Sequence, residues 1–170
     1  MSILCDCNQF LISSMLVNNQ INHEIDLNLI RKLFIRQLNN YIKQFPNYTG
    51  IILCFDNQNY WRKAVFSNYK YSRKDDRKNS DTDWSKIFND INTIKQELTS
   101  LNYNVMDIAG AEADDIIACI SKHEYQNKIN TLIISGDKDF IQLLRYDTVS
   151  IWNHQKKILL KNNSYETSLL

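Results

Sequence analysis

The sequence predicts a three-layer α/β fold with a mainly parallel central sheet. Two observations carry that expectation. Short apolar runs alternate with longer segments whose apolar residues recur every three to four positions, in the order β, α, β, α, β, α, β, α, β. Only 3 glycines and 1 proline occur in 170 residues, too few for the many turns of an all-β sandwich or barrel. The composition agrees, with 44% apolar and 23% charged residues. That excludes a disordered chain, a collagen-like fibre and a coiled coil. The length suits one domain, and no apolar run approaches the ~18 residues of a membrane span.

The elements follow in chain order. Ile3-Leu4-Cys5 ahead of Asp6 reads as a short buried strand. No basic segment or apolar stretch precedes that acid, so the N-terminus does not read as a signal peptide. From about Asp26 to Phe45, Leu27, Ile30, Leu33, Phe34, Leu38, Tyr41, Ile42 and Phe45 form the stripe of an amphipathic helix. Pro46 and Gly50 mark its end. The apolar run from Gly50 to Phe55, closed by Asp56, reads as a parallel strand covered on both faces.

Asp81 or Thr82 is expected to cap the next helix, whose stripe is Trp84, Ile87, Phe88, Ile91, Ile94, Leu98 and Leu101. Val105–Ile108 is a short strand. Glu112–His123 is a helix carrying Ile116, Ile117 and Ile120. Thr131–Ser135 is another strand, followed by Gly136-Asp137 and a short helix near Phe140–Leu144. Val149–Trp152 is the last strand. Beyond Trp152 the chain turns polar before ending in Ser168-Leu169-Leu170.

Net charge is +1, but it is unevenly spread. Between Tyr60 and Ser80 there are seven basic residues and two acids, a local charge of +5 on a body of −4. Such a run is either a solvated face or a ligand surface. Tyr60, Trp61, Phe66, Tyr69 and Tyr71 are interleaved with its cations. That mixture suits a nucleic-acid strand, because phosphates meet Lys and Arg while bases stack on rings. Cys5, Cys54 and Cys119 stand inside apolar runs, and only Cys5 and Cys7 are close in sequence. They read as core thiols of a reducing compartment, not as a zinc site, which needs two close pairs. His23, His123 and His154 read as surface residues.

The acids are the strongest signal. A parallel sheet gathers ligands outside the carboxyl ends of its strands. There lie Asp6, Asp56, Glu112, Asp114, Asp115, Asp137 and Asp139. Each alone has an ordinary explanation as a turn or helix cap, Asp139 with Gln142 resembling a capping box. Together they would repel one another unless cations neutralised them. Two divalent ions would do so, and an all-oxygen set suits Mg²⁺ or Mn²⁺. No phosphate-binding glycine loop, dinucleotide fingerprint or nucleophile elbow competes.

Seven stretches then combine into a resemblance. They are Leu4-Cys5-Asp6-Cys7-Asn8-Gln9, Ile52-Leu53-Cys54-Phe55-Asp56-Asn57, Tyr60-Trp61-Arg62-Lys63, Asp83-Trp84, Val105-Met106-Asp107-Ile108, Glu112-Ala113-Asp114-Asp115 and the run from Leu132 to Leu143 containing Gly136-Asp137-Lys138-Asp139-Phe140. In this order the chain resembles the 5′-nuclease superfamily of flap endonucleases and 5′→3′ exonucleases, including its T-even phage ribonuclease H branch. The superfamily has a PIN-like core.

The resemblance implies that residues 1–170 form one nuclease core with a basic helical arch at about 57–81. It implies that Asp6, Asp56, Glu112 and Asp114 surround one metal, that Asp137 and Asp139 help hold a second, and that Asp115 is a further acid of the set. Lys70 and Arg73 would be catalytic, on the phosphate. Arg62, Lys63, Tyr69, Lys74, Arg77 and Lys78 would contact nucleic acid.

The cofactor would be Mg²⁺ or Mn²⁺, as two ions. The partner would be DNA or RNA–DNA with a single-stranded 5′ end, and no membrane. The activity would be 5′→3′ exonuclease or flap endonuclease hydrolysis, serving primer removal or flap processing in the cytoplasm, of a host if the chain is viral. The given sequence stops about where the family's helix–three-turn–helix region would begin, so three readings stay open: it is a fragment, the element is encoded separately, or the element has been lost; on the second, a separate duplex-binding element or replication proteins would be partners. The alternatives are a weakened nucleic-acid-binding remnant of the family and a compact PIN-type ribonuclease.

Overall fold

The computed structural model describes residues 1–66 and 68–162, with the backbone alone of Lys74. Among the described residues the strands form one six-stranded sheet in the order β3-β2-β1-β4-β5-β6. These are β1 Ser2–Asp6, β2 Gly50–Cys54, β3 Asn104–Met106, β4 Thr131–Ile134, β5 Val149–Asn153 and β6 Ile158–Leu160. Every neighbouring pair is parallel except β5–β6. The helices are α1 Cys7–Asn22, α2 Leu27–Gln44, α3 Trp61–Val65, α4 Tyr71–Lys78, α5 Trp84–Ser100 and α6 Ala113–Gln126, with a 3₁₀ helix at Lys138–Arg145. The expected α/β fold with a mainly parallel sheet is therefore the fold observed.

The side-chain alternation of the strands builds two cores. Ile3, Cys5, Leu53, Phe55, Leu132 and Ile134 face one way, onto Leu11 and Met15 of α1, Phe34 and Leu38 of α2, and Ile91 and Ile94 of α5. Leu4, Cys54, Ile133 and Ile151 face the other way, onto Ile116 and Ile117 of α6 and Phe140 and Leu144 of the 3₁₀ helix. Fully burying such a side chain is worth roughly 1.5–3 kcal/mol. β1 lies at the centre and is buried along its whole length. Its register pairs Ser2 with both Gly50 and Thr131, so the carboxyl ends of β1, β2 and β4 lie level.

Several expectations are corrected. The sequence pattern does not predict helix α1; it starts directly after β1, and its buried residues Cys7, Leu11, Met15 and Asn18 make a stripe that Ser13-Ser14 and the polar Asn18-Asn19-Gln20 obscure in sequence. In α2 the stripe is narrower than expected, with Leu33 and Ile42 exposed. The cap of α5 is Asp83, whose side chain accepts from the Lys86 N–H at 2.9 Å, and Leu101 lies beyond the helix and exposed. β6 arises in the segment read as a polar tail, and Leu169-Leu170 fall outside the described residues. Cys119 lies on the solvent side of α6, unlike the buried Cys5, Cys7 and Cys54. His154 is half-buried, 6.1 Å from the Phe10 ring, and burial lowers its pKa. Among the described residues no helix is long and apolar enough to cross a membrane.

Candidate functional site

The strand order reverses at β1, which sends the chain towards β2 and β3 on one side and β4 and β5 on the other. A crevice forms outside the carboxyl ends of strands at such a point. Asp6 closes β1 and is 7% exposed. Its Oδ2 accepts from the Ser135 hydroxyl at 3.0 Å. Ser135 Oγ in turn accepts from the Asp137 N–H at 3.0 Å, and Gln9 Oε1 accepts from the Gly136 N–H at 3.0 Å. One buried hydroxyl thus links the acid after β1 to the turn after β4. Asp137 caps the 3₁₀ helix by accepting from the Asp139 N–H at 2.9 Å. The ordinary alternative for Asp139, a capping box with Gln142, does not form: Gln142 donates to the Asp139 backbone carbonyl instead.

Beyond β2, Asp56 Oδ1 accepts from the Ala113 N–H at 2.8 Å, at the start of α6. The adjoining Asn57 donates to Asp107 Oδ1 at 2.7 Å, and Asp107 also pairs with Lys95 of α5. These bonds fix the acid-bearing loop to the end of β3, the body of α5 and the start of α6. Glu112 is the N-cap of α6 and 1% exposed. Its carboxylate takes Arg62 Nη1 at 2.8 Å, Lys70 Nζ at 2.7 Å and the Tyr69 hydroxyl at 3.1 Å.

The basic segment, read above as an arch, forms α3 and α4 and faces this floor across a shared cavity. Lys70 lies between them with φ of 54°, a left-handed conformation that costs a non-glycine residue about 1 kcal/mol. Held there, its ammonium lies 5.2 Å from the Tyr69 ring centre. Tyr60 and Tyr69 pack edge to face at 5.8 Å, and Lys63 lies 4.2 Å from the Tyr60 ring. Arg77 lies over Trp84 and Phe88 of α5, at 4.7 and 5.0 Å.

Floor and arch enclose one cavity of about 1200 Å³. Asp6, Asp56, Glu112, Asp114, Asp137 and Asp139 line it, and so do Lys63, Tyr69, Lys70, Arg73 and Arg77. Asp115, Arg62 and Lys78 do not line it, and the Lys74 side chain lies outside what is described. Asn8, Gln9, Tyr60 and Asp76, which sequence reasoning did not single out as site residues, also line it.

The electrostatics follow from this enclosure. Burial pushes Asp6 up to about 7, against the Ser135 hydrogen bond and with help from Asp56, Asp114 and Asp137. Burial pushes Asp114 up to about 6, and Asp56 adds to the rise. Asp56 is raised by burial too, although the Ala113 N–H offsets part of it. Burial works against the charged amine of Lys70, yet its hydrogen bond to Glu112 holds its pKa above the ordinary value. The lining offers carboxylate oxygens with no described cysteine or histidine among them, a donor set matched to hard divalent cations. The carboxylates ring the wall; among the described residues no three acids, cysteines or histidines already form a closed ligand cage.

Comparison with known proteins places this geometry. The family model described as the 5'-3' exonuclease, N-terminal resolvase-like domain, matches residues 6–168. The ribonuclease H of Enterobacteria phage T4 is 36% identical over 96% of this chain and 56% of its own length. A flap endonuclease Xni of Shewanella denitrificans is 27% identical over 86% of this chain and 54% of its own. Among solved structures, a T5 5′-exonuclease with bound zinc ions superposes with a TM-score of 0.74 at 20% identity, covering 98% of this chain and 59% of that one. A phage T5 flap endonuclease in a pseudo-enzyme–product complex with DNA and metal ions gives 0.75 at 18%, covering 99% and 61%. The chain spans about half the length of the curated relatives named here. With nearly its whole length matched, the chain belongs to the 5′-3′ exonuclease family, as its N-terminal resolvase-like domain.

Proposed function

We propose that this chain is the nuclease core of a divalent-metal-dependent 5′→3′ exonuclease or flap endonuclease, hydrolysing phosphodiester bonds near a single-stranded 5′ end in DNA or RNA–DNA duplexes. The observation that carries it is the opposition of six carboxylates to Lys63, Lys70, Arg73 and Arg77 across one cavity. A phosphate cannot approach bare carboxylates. Divalent cations between the two resolve the conflict, and the relatives solved with metal ions and DNA support that reading.

Asp6, Asp56, Glu112 and Asp114 would hold one Mg²⁺ or Mn²⁺, and Asp137 and Asp139 would help hold a second. Such ions supply Lewis acidity towards phosphate oxygens and a nucleophile at neutral pH. The rest falls to the chain. Lys70 has three donors, so it can keep its Glu112 partner while donating to a phosphate oxygen. Arg73 offers a fork to a second oxygen. Tyr60 and Tyr69 supply ring faces on which bases stack, worth roughly 1–3 kcal/mol per base. Ser135 and Gln9 keep the Asp6 and Asp137 segments in one frame. We place the reaction in the cytoplasm, of a host if the chain is viral, where replication leaves 5′ ends for removal; a duplex-gripping element or replication proteins would work alongside it.

The test is a labelled 5′-flap DNA and a matched RNA–DNA duplex, incubated with Mg²⁺, Mn²⁺ or a chelator. Short 5′ products that vanish with the chelator are expected. Strand binding without product in either metal would leave a binding remnant in place of a nuclease.

A further inference from the structure

Asp115 stands apart from the other acids. Its Oδ2 accepts from Arg62 Nη1 at 2.7 Å, from the Trp61 indole N–H at 3.3 Å and from the Glu112 N–H at 3.0 Å, while Oδ1 takes Arg62 Nη2 at 2.8 Å. Three of these donors crowd Oδ2, and the Arg62 fork spans both oxygens. Arg62 stacks 4.8 Å from the Trp61 ring and reaches Glu112 with the same Nη1.

We infer that Asp115 is a positioning residue that anchors the foot of the arch through Arg62, and that it holds no metal. The inference rests on the nuclease reading for its purpose and on the contacts for its substance. The foot needs an anchor because α3 buries none of its residues. Other ties are the bridge between Tyr60 and Gly110 and the seating of Arg77 on Trp84. The ties of Lys70 and Tyr69 to Glu112 are ones a phosphate must share. Arg62 and Asp115 lie outside the cavity lining, so substrate does not compete for them. The pair holds the foot while Lys70 shares its donors between Glu112 and a phosphate.

The test uses the full chain with Arg62→Gln, Asp115→Asn and the double variant, and needs no nuclease activity. Asp115→Asn keeps an acceptor for the helix cap, and Arg62→Gln leaves that cap untouched. Trypsin cleavage after Arg73, Arg77 and Lys78 is timed against cleavage elsewhere. Each single variant should speed arch cleavage about 10-fold, with the double no faster than either. In calorimetry, Mn²⁺ affinity should stay within about twofold in Asp115→Asn, while Asp56→Asn loses more than about 10-fold. Unchanged arch cleavage in Arg62→Gln, an additive double, or an Asp115→Asn loss of Mn²⁺ affinity matching Asp56→Asn would each overturn the anchor. If the parent chain binds no Mn²⁺ at all, the nuclease reading fails, and the cleavage rates alone then decide on the anchor.

Discussion

The floor of the cavity rests on β1, β2 and β4, whose backbone bonds are paired on both sides of β1 and whose side chains fill two cores. The arch that faces it, Trp61–Lys78, rests on ion pairs, ring contacts and two short helices. One wall is negative and positioned by the fold. The other is positive and positioned by side chains. The difference shows how opposite charges can face one another without collapsing together. Buried backbone fixes the acids where repulsion would scatter them, and side-chain contacts hold the cations opposite them.

The largest expected effect breaks the floor. Asp56→Asn, which keeps an acceptor for the Ala113 N–H, should lower cleavage at least about 100-fold in a flap assay, with a melting temperature no lower than the parent's. Near-parental cleavage would remove the floor from the chemistry. Next comes the arch. Lys70→Ala should lower kcat by about 10–100-fold while KM moves much less, because the ammonium acts on charge developing at the phosphate. An equal change in both would make Lys70 a binding residue only.

The third effect is on stability and reads the electrostatics of the floor. Asp6 at about 7 and Asp114 at about 6 are raised above the ordinary 3.8, so between those limits the folded chain binds more protons than the unfolded one. Stability without metal should therefore fall as pH rises from about 4 through 7, each tenfold gain in a carboxyl's proton affinity being worth ~1.4 kcal/mol. Calorimetry in chelator should show Tm dropping by about 5–10 °C from pH 5 to pH 8, and Mn²⁺ should restore most of it at pH 8. A Tm that climbs with pH in chelator would mean that the arch cations already neutralise the floor. The smallest effect is expected at Gly136. A Cβ there would meet the Gln155 side chain at 2.8 Å, but that is the movable end of an exposed residue. Gly136→Ala should cost under about 1 kcal/mol in denaturant melts, and a larger loss would show the turn after β4 to be tighter than its contacts suggest.

Much of this was legible along the chain. Ile3-Leu4-Cys5, Leu53-Cys54-Phe55 and Thr131–Ile134 are continuous apolar runs of strand length, each closed by an acid or a glycine-acid turn, and such runs mark a parallel sheet whatever surrounds them. The acids were legible for the same reason: a parallel sheet sends Asp6, Asp56 and Asp137 to one edge. The helix α1 was not, because its buried face is only four residues wide and carries Asn18. Nor was the pairing of Arg62, which looked like one cation among seven; its partner Asp115 lies 53 positions away, and no local pattern links them. Ser135 and Gln9 were hidden likewise, being unremarkable polar residues until the register of β1 and β4 brings them together.

The order of apolar runs and helical stripes determined by itself the layered sheet, and with it the common edge on which six acids meet, because side-chain period and strand direction are local properties that the backbone transmits. The tertiary structure decided which acid faces the cavity and which faces an arginine, where the arch is pinned, and how far burial raises Asp6 and Asp114. Those depend on distances between segments far apart in the chain, and on how much water the folded wall excludes.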